Sequence, residues 1–341
     1  MLKIFEHVPD GLLQAGVGQL DEVLGGPALI HLQGRREEPL FVSVLLHGNE
    51  EAGFYAVQTL LRDYRGKELP RALSVFIGNV AAARHNQRFL EGQPDYNRIW
   101  PGGETGGTQE HVMMASIVEE MSRRRVFASI DVHNNTGINP HYACVNRLEN
   151  RFLNLATLFS RTVVYFTRPR GVQSMAFAAL CPAVTIECGK AGQPHGVEHS
   201  REFMEAALHL SDVPEHPLAL HDIDLFHTVA VVKIPPECSF SFDDVATDIR
   251  FNNDLDHLNF RELPAGTTLG RARPDSDARL EAWDENGSNV GKRYFLLDDN
   301  FIRTRRAVMP SMFTLDKRVI RQDCLGYLME RLSPESCRQE G

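Results

Sequence analysis

The sequence predicts an α/β protein: a catalytic domain with a central mixed sheet, followed by a smaller β-rich C-terminal domain. Three observations carry this. Compact apolar runs at 40–46 (LFVSVLL), 72–80 (ALSVFIGNV) and 126–132 (VFASIDV) read as buried strands, separated by stretches with helical apolar spacing. Polar residues suited to chemistry stand at the ends of those strands, where ligands collect in open α/β sheets. After about residue 225 the pattern changes to short β-like runs divided by turn residues.

The first run stops at His47-Gly48-Asn49, and the following EEAGFYAVQTLLRDYRG carries Ala52, Ala56, Val57, Leu60 and Leu61 at helical spacing. Residues 110–125 form a second amphipathic pattern, with Val112, Ile117, Val118 and Met121 assigned to one side. A helix is expected around 149–160, and VVYF (163–166) and PAVTIE (182–187) are further strands. In the tail, TVAVVKI, SFSF, DIRF, HLNF, TTLGRA, ARLEAW and KRYFLL alternate with PPE, NND, LPAG, RPDSD and DENGSN. A helix returns only at 319–332, and SPESCRQEG reads as a frayed end. The expected division is an α/β domain at 1–225 and a β-rich domain at 226–341 that covers the cleft at the strand ends.

The chain has 341 residues, 43% hydrophobic and 24% charged, an ordinary balance for a soluble globular protein. No run approaches the roughly 18 apolar residues of a membrane span, and the N-terminus MLKIFEHVPDGLL lacks the pattern of a secretory signal. A net charge of −9 argues against a nucleic-acid partner. It leaves room for a small anionic substrate, since a local arginine cluster can override the global sign. Six cysteines, none in a C-x-x-C pair, fit reduced thiols in the cytoplasm.

His47-Gly48-Asn49-Glu50 follows an apolar strand and opens a helix. An imidazole and a carboxylate three residues apart in such a turn can converge on one cation. Read alone, H-x-x-E serves equally as a surface turn; its strand–turn–helix setting makes it a metal-site candidate. Asp131-Val132-His133-Asn134 closes another strand. His133 is the third candidate ligand, and Asp131, two residues away, either fixes its tautomer or caps the next turn. Two histidines and one carboxylate leave a coordination position free, the pattern of a catalytic zinc site. Glu187 closes PAVTIE; it is the candidate general base, the alternative being an ion pair with Lys190. Asn86-Gln87-Arg88-Phe89 and Asp95-Tyr96-Asn97-Arg98 supply guanidinium and amide groups. Arg88 is the candidate for stabilising an oxyanion, with Asn97 and Arg98 holding a substrate carboxylate.

HGNE (47–50), R-F (88–89), D-x-N-R (95–98), D-V-H-N (131–134) and E-C-G-K (187–190) resemble, in order, the succinylglutamate desuccinylase/aspartoacylase family, relatives of the zinc carboxypeptidases. Asp256-His257-Leu258-Asn259-Phe260 and Pro264-Ala265-Gly266-Thr267 extend the likeness into the tail. The resemblance implies a zinc-carboxypeptidase-like domain and one Zn2+ per chain held by His47, Glu50 and His133. It also implies Glu187 as acid and base, and Arg88, Asn97 and Arg98 at the substrate. The chain departs from the family in three places. No arginine lies between Gly171 and Ile186, Asn135-Thr136-Gly137 stands where the family often has Thr-Thr or Thr-Ala, and GGETGGTQE (102–110) is inserted. Arg168 and Arg170 stand further upstream.

Other signals carry less. The 102–110 glycines have no G-K-[ST] and fit a mobile loop at the site mouth. His195 and His199, four apart, lack the glutamate of H-E-x-x-H, and His85, His111 and His141 read as surface residues. Ser74, Ser116 and Ser174 lack the nucleophile-elbow context. Tyr294 is a tail tyrosine that could reach the substrate. The expected function is a zinc-dependent amidohydrolase that removes a succinyl or similar acyl group from a small N-acyl amino acid, with homo-oligomerisation open. Two rival readings are a metallocarboxypeptidase acting on peptide C-termini and a non-catalytic binding protein on the same fold.

Overall fold

The computed structural model describes residues 1–103, 106–219, 221–274, 276 and 278–332. The strands of the first two-thirds are β1 (Lys3–Phe5), β2 (Ala28–Leu32), β3 (Leu40–Val44), β4 (Leu73–Ile77), β5 (Ala128–Asn135), β6 (Tyr142–Val145), β7 (Thr162–Tyr165) and β8 (Ala183–Lys190). The helices there are α1 (Leu20–Leu24), α2 (Ala52–Asp63), α3 (Val80–Ala83), α4 (Gln109–Arg123), α5 (Asn150–Thr157), α6 (Gln173–Phe177) and α7 (Pro194–His209). Then come β9 (Asp224–Lys233), β10 (Phe240–Ser241), β11 (Ile249–Phe251), β12 (Thr268–Ala272), β13 (Glu281–Trp283), α8 (Gly291–Tyr294), β14 (Phe295–Asp298), β15 (Phe301–Thr304), β16 (Met309–Ser311), α9 (Lys317–Gln322) and β17 (Gly326–Arg331).

A 12-stranded mixed sheet runs β1-β2-β4-β3-β5-β8-β6-β7-β9-β17-β16, with β13 also on β9; a separate five-stranded sheet runs β10-β11-β12-β15-β14. At the centre, β4, β3, β5 and β8 are parallel. Helices cover both faces of such a sheet, so these strands read as continuous apolar runs rather than alternating ones. The hydrophobic core divides near the expected boundary: one cluster runs from Leu12 to Leu225 and another from Ala230 to Leu328. The backbone ladder does not divide there. β9 pairs with β7 on one side and with β17 on the other, so the large sheet continues through residue 225.

Several expectations are corrected. Of the face assigned to α4, Ile117 and Met121 are buried and Val118 packs half-buried on the core, but Val112 is 66% exposed; Met113 and Met114 complete the buried stripe. HLNF (257–260) is the end of a 3-10 turn at Leu255–Leu258 and the turn that follows it, instead of a strand. The helix expected at 319–332 is two elements: α9 ends at Gln322, and β17 pairs antiparallel with β9. Edge pairing on β9 outweighs local helical spacing there. α7 was not expected at all. Glu104, Thr105 and the 333–341 tail, including Cys337, lie outside the described residues, so the inserted-loop and fraying expectations rest partly there. Among the described residues no helix is long and apolar enough to cross a membrane.

α2 lies against α7 and on the sheet, burying Phe54, Ala56, Val57, Leu60 and Leu61. Gly53 sets how closely it approaches β5. A Cβ at this position would lie 2.8 Å from Val132 and 3.0 Å from Val44. Gly53→Ala gains about 1 kcal/mol of helix propensity in an exposed helix. Here the overlap prevails, and the expected result is a net loss of about 1–3 kcal/mol in chemical denaturation; unchanged or raised stability would contradict this packing.

Candidate active site

The HGNE turn is shaped by the strand before it. β3 ends at Val44, and Leu45 adopts a left-handed backbone (φ 55°), rare for a non-glycine residue, which turns the chain out of the sheet. Gly48 then packs directly on the segment that carries Arg88. Its N–H donates to the Arg88 carbonyl at 3.1 Å, and a Cβ on it would lie 2.2 Å from the Ala83 nitrogen. It is this close approach of backbone to backbone that requires a glycine at 48. Asn134 ties the pieces together. Its side chain accepts from the Ala52 N–H (3.0 Å) and donates to the Gly189 carbonyl (3.1 Å), and its own N–H donates to Glu50 (3.1 Å).

His47, Glu50 and His133 are buried and converge. His47 Nδ1 lies 2.7 Å from Glu50 Oε1, and His133 Nδ1 lies 2.7 Å from Glu50 Oε2. One potential ligand atom from each of the three falls within 4.8 Å of the others, a spacing a single cation can bridge. The far ring nitrogens face carboxylates: His133 Nε2 lies 2.9 Å from Asp131 Oδ2, and His47 Nε2 lies 3.0 Å from Asp95 Oδ1. Asp131 is itself fixed by a 2.6 Å hydrogen bond from Ser43. Carboxylates behind both imidazoles orient rings and set tautomers as zinc sites require. The donor set therefore fits a divalent cation with nitrogen and oxygen ligands. Asp95 is a residue the sequence reading passed over, although it opens the quoted D-x-N-R motif.

The electrostatics follow from burial and pairing. Burial alone would raise the Glu50 carboxyl, but His47 and His133 reverse this and hold it far below its usual range. Burial likewise opposes charging of His133, yet Asp131 and Glu50 hold its pKa well above the ordinary value. Glu187 behaves differently. It stands beside His133 in the β5–β8 register, 6% exposed, and burial pushes its carboxyl up to about 7 against the opposing pull of His133. Its Oε2 is buried without a hydrogen-bond partner, and among the described residues no ion pair with Lys190 forms. A carboxyl poised near neutrality with a free oxygen can both take and return a proton.

Arg88, Asn97 and Arg98 all line the same pocket, with Glu187 and the three converging residues. The guanidiniums are already engaged. Arg88 donates to Asp95 at 2.9 and 3.3 Å and to Asp323 at 3.2 Å, while Arg98 donates to Asp323 at 2.9 Å. Burial disfavours both charges, but these carboxylates keep both pKa values raised. Asn97 has its N–H on Asp95 (2.8 Å), its amide 3.3 Å from His133 Nε2, and accepts from the Gln173 N–H (3.3 Å). Tyr294 is corrected: it is 2% exposed in the second core cluster and does not line the pocket. The tail tyrosine that does is Tyr327, on β17. Thr228, Ser311, Met312, Val319, Asp323 and Cys324 join it, so the C-terminal third forms one wall.

The catalytic-domain profile of the succinylglutamate desuccinylase/aspartoacylase family matches residues 38–212. No curated protein sequence matches the chain. Among solved structures, succinylglutamate desuccinylase from Chromobacterium violaceum aligns with TM-score 0.56 and 19% identity over 88% of this chain and 86% of that one. Succinylglutamate desuccinylase/aspartoacylase from Rhodobacter sphaeroides gives 0.56 and 14% over 89% and 88%. Murine aminoacylase 3 gives 0.55 and 14% over 87% and 96%. These likenesses establish a shared fold. With a profile match across more than half of the sequence, this chain belongs to the succinylglutamate desuccinylase/aspartoacylase family.

Proposed function

We propose that this protein is a zinc-dependent deacylase that hydrolyses the amide bond of a small N-acyl amino acid. The observation that carries the reading is the convergence of His47, Glu50 and His133, each imidazole backed by an aspartate, beside a buried Glu187 with a free carboxylate oxygen. We further propose that residues 1–225 act as the catalytic domain and 226–341 as its cover, in the cytoplasm. His47, Glu50 and His133 would hold the ion. A zinc ion bound there supplies Lewis acidity, polarising a carbonyl and making water nucleophilic near pH 7.

The chain's own groups do the rest. Glu187, with a carboxyl near 7, accepts a proton from the attacking water on Oε2 and later delivers it to the leaving nitrogen. Arg88 stays charged under its two carboxylates and can stabilise negative charge developing on the acyl oxygen. Asn97 keeps the Arg88–Asp95–His47 side in register, because its N–H and side-chain amide link Asp95 to His133. Asp131 and Asp95 hold the two rings at a fixed angle. The pocket wall from β17 and α9 favours a small substrate over a peptide C-terminus, which sets the carboxypeptidase reading second.

Glu187→Gln is expected to retain zinc, measured by metal analysis, while losing at least about a hundredfold in turnover; near-normal turnover would remove Glu187 from the mechanism. In the native protein a base near 7 protonates as pH falls, so kcat/KM drops about tenfold per pH unit on the acid side. A bound cation moves that limb to lower pH, and Glu187→Gln abolishes it.

The same shift has a stability consequence. Glu187 titrates near 4.5 unfolded and near 7 folded, so its ionisation costs stability progressively between those values and fully above 7. In chelator-treated protein, Glu187→Gln should stabilise the fold at pH 8 by on the order of 1–3 kcal/mol and have little effect below pH 4.5. Equal melting temperatures at pH 8 would show that the buried charge is compensated. Asp95→Asn should weaken zinc binding about 10- to 100-fold, read by chelator competition; unchanged affinity would separate Asp95 from the metal site.

A further inference from the structure

Asp323 has no counterpart among the motifs that place this chain in its family, yet its carboxylate sits at the centre of the pocket's cationic side. One oxygen, Oδ2, accepts from Arg88 (3.2 Å) and from Arg98 (2.9 Å). Arg88 also has Asp95. Two guanidiniums therefore face two carboxylates, and this side of the pocket carries no net positive charge. The remaining pocket arginine is Arg168. Its Nε donates to the Glu285 carbonyl, and among the described residues no carboxylate pairs with it. Of three guanidiniums around the cleft, only one is left uncompensated.

Asp323 is not placed to swing away. Its N–H donates to the Val319 carbonyl (2.9 Å) at the end of α9, whose first turn is capped by Asp316. Immediately after it, Cys324 and Leu325 are buried, and the Leu325 N–H donates to Val232 on β9 (2.9 Å). One flank is held by α9 and the other by the large sheet, so Asp323 is a fixed part of the wall. The same pocket is also lined by the apolar Val164, Phe166 and Val172.

We propose that Asp323 is a specificity-determining residue: it occupies the place where Arg88 and Arg98 would otherwise grip a substrate carboxylate, and so restricts the enzyme to N-acyl amino acids that bear a single carboxylate. A second carboxylate, on the acyl group or on the amino-acid side chain, meets a like charge and an arginine pair whose charge is already compensated. Acetylated or longer uncharged acyl derivatives of neutral amino acids are the class that fits. Succinylated and acidic amino acids are the class excluded. This rests on the deacylase reading above and narrows its substrate.

The test uses the zinc-loaded full chain and pairs of substrates matched in shape: N-acetylglutamine with N-acetylglutamate, and N-butyrylalanine with N-succinylalanine. The native enzyme should favour the monocarboxylate of each pair by about tenfold or more in kcat/KM. Asp323→Asn should shift that ratio about tenfold or more towards the dicarboxylate, and in calorimetry should tighten glutamate binding relative to glutamine. A merely structural role would weaken both members together and leave the ratio unmoved, which overturns the proposal. So does a native enzyme that prefers the dicarboxylates, a result that needs no variant to fold. Should no substrate be turned over, the deacylase reading fails, and the glutamate-against-glutamine binding ratio still decides the role of Asp323.

Discussion

One carboxylate organises this molecule: Glu50 lies between the Nδ1 atoms of two histidines, one in the turn after β3 and one on β5. A buried carboxylate is costly unless charge and hydrogen bonds surround it. Here Glu50 accepts from both rings and from the Asn134 N–H, and its carboxyl stays ionised well below the usual range. The rings are in turn held by Asp95 and Asp131, and Asp131 by Ser43. The network spans β3, β5 and the 95–98 segment, so the relative position of three pieces of backbone is encoded in one set of polar contacts. The close approaches at Gly48 and Gly53 permit this, since any Cβ there would push the segments apart.

Around that centre the charges alternate with short spacing. Asp95 bridges His47 and Arg88, and Asp323 bridges Arg88 and Arg98. The chain of ion pairs thus runs from the metal-site candidate to the C-terminal wall without an uncompensated member. Such networks are expensive to bury and costly to break, which makes them specific. Glu187 is the exception, a buried acid with an unpartnered oxygen beside the same histidines. Beside a network whose charges are paired, a group with unused hydrogen-bonding capacity and a neutral-range pKa is the one prepared for proton transfer.

Much of this was legible in the sequence, and the failures have physical causes. Buried parallel strands appear as continuous apolar runs, so β3, β4, β5 and β8 could be read directly. His47 and Glu50 are close in sequence, so their convergence is a local property of one turn. α7 was hidden because its buried stripe includes Gly196 and Ser200 among Phe203, Met204, Ala207 and Leu208, which blurs the apolar period. β17 was taken for helix because its identity depends on a partner strand about a hundred residues earlier. Asp323 could not be foreseen for the same reason: it meets Arg88 across 235 residues of chain, and no local pattern marks it. Tyr294 closes the short helix α8 and Tyr327 lies on β17, and only the tertiary arrangement decides which of them faces the pocket.

The account depends on His47, Glu50 and His133 sharing one cation. Diffraction from zinc-soaked crystals, recorded on both sides of the zinc absorption edge, tests this most directly. A single strong anomalous peak bounded by His47 Nδ1, His133 Nδ1 and the Glu50 carboxylate is the predicted result. A peak at other residues, or none at saturating zinc, would contradict it.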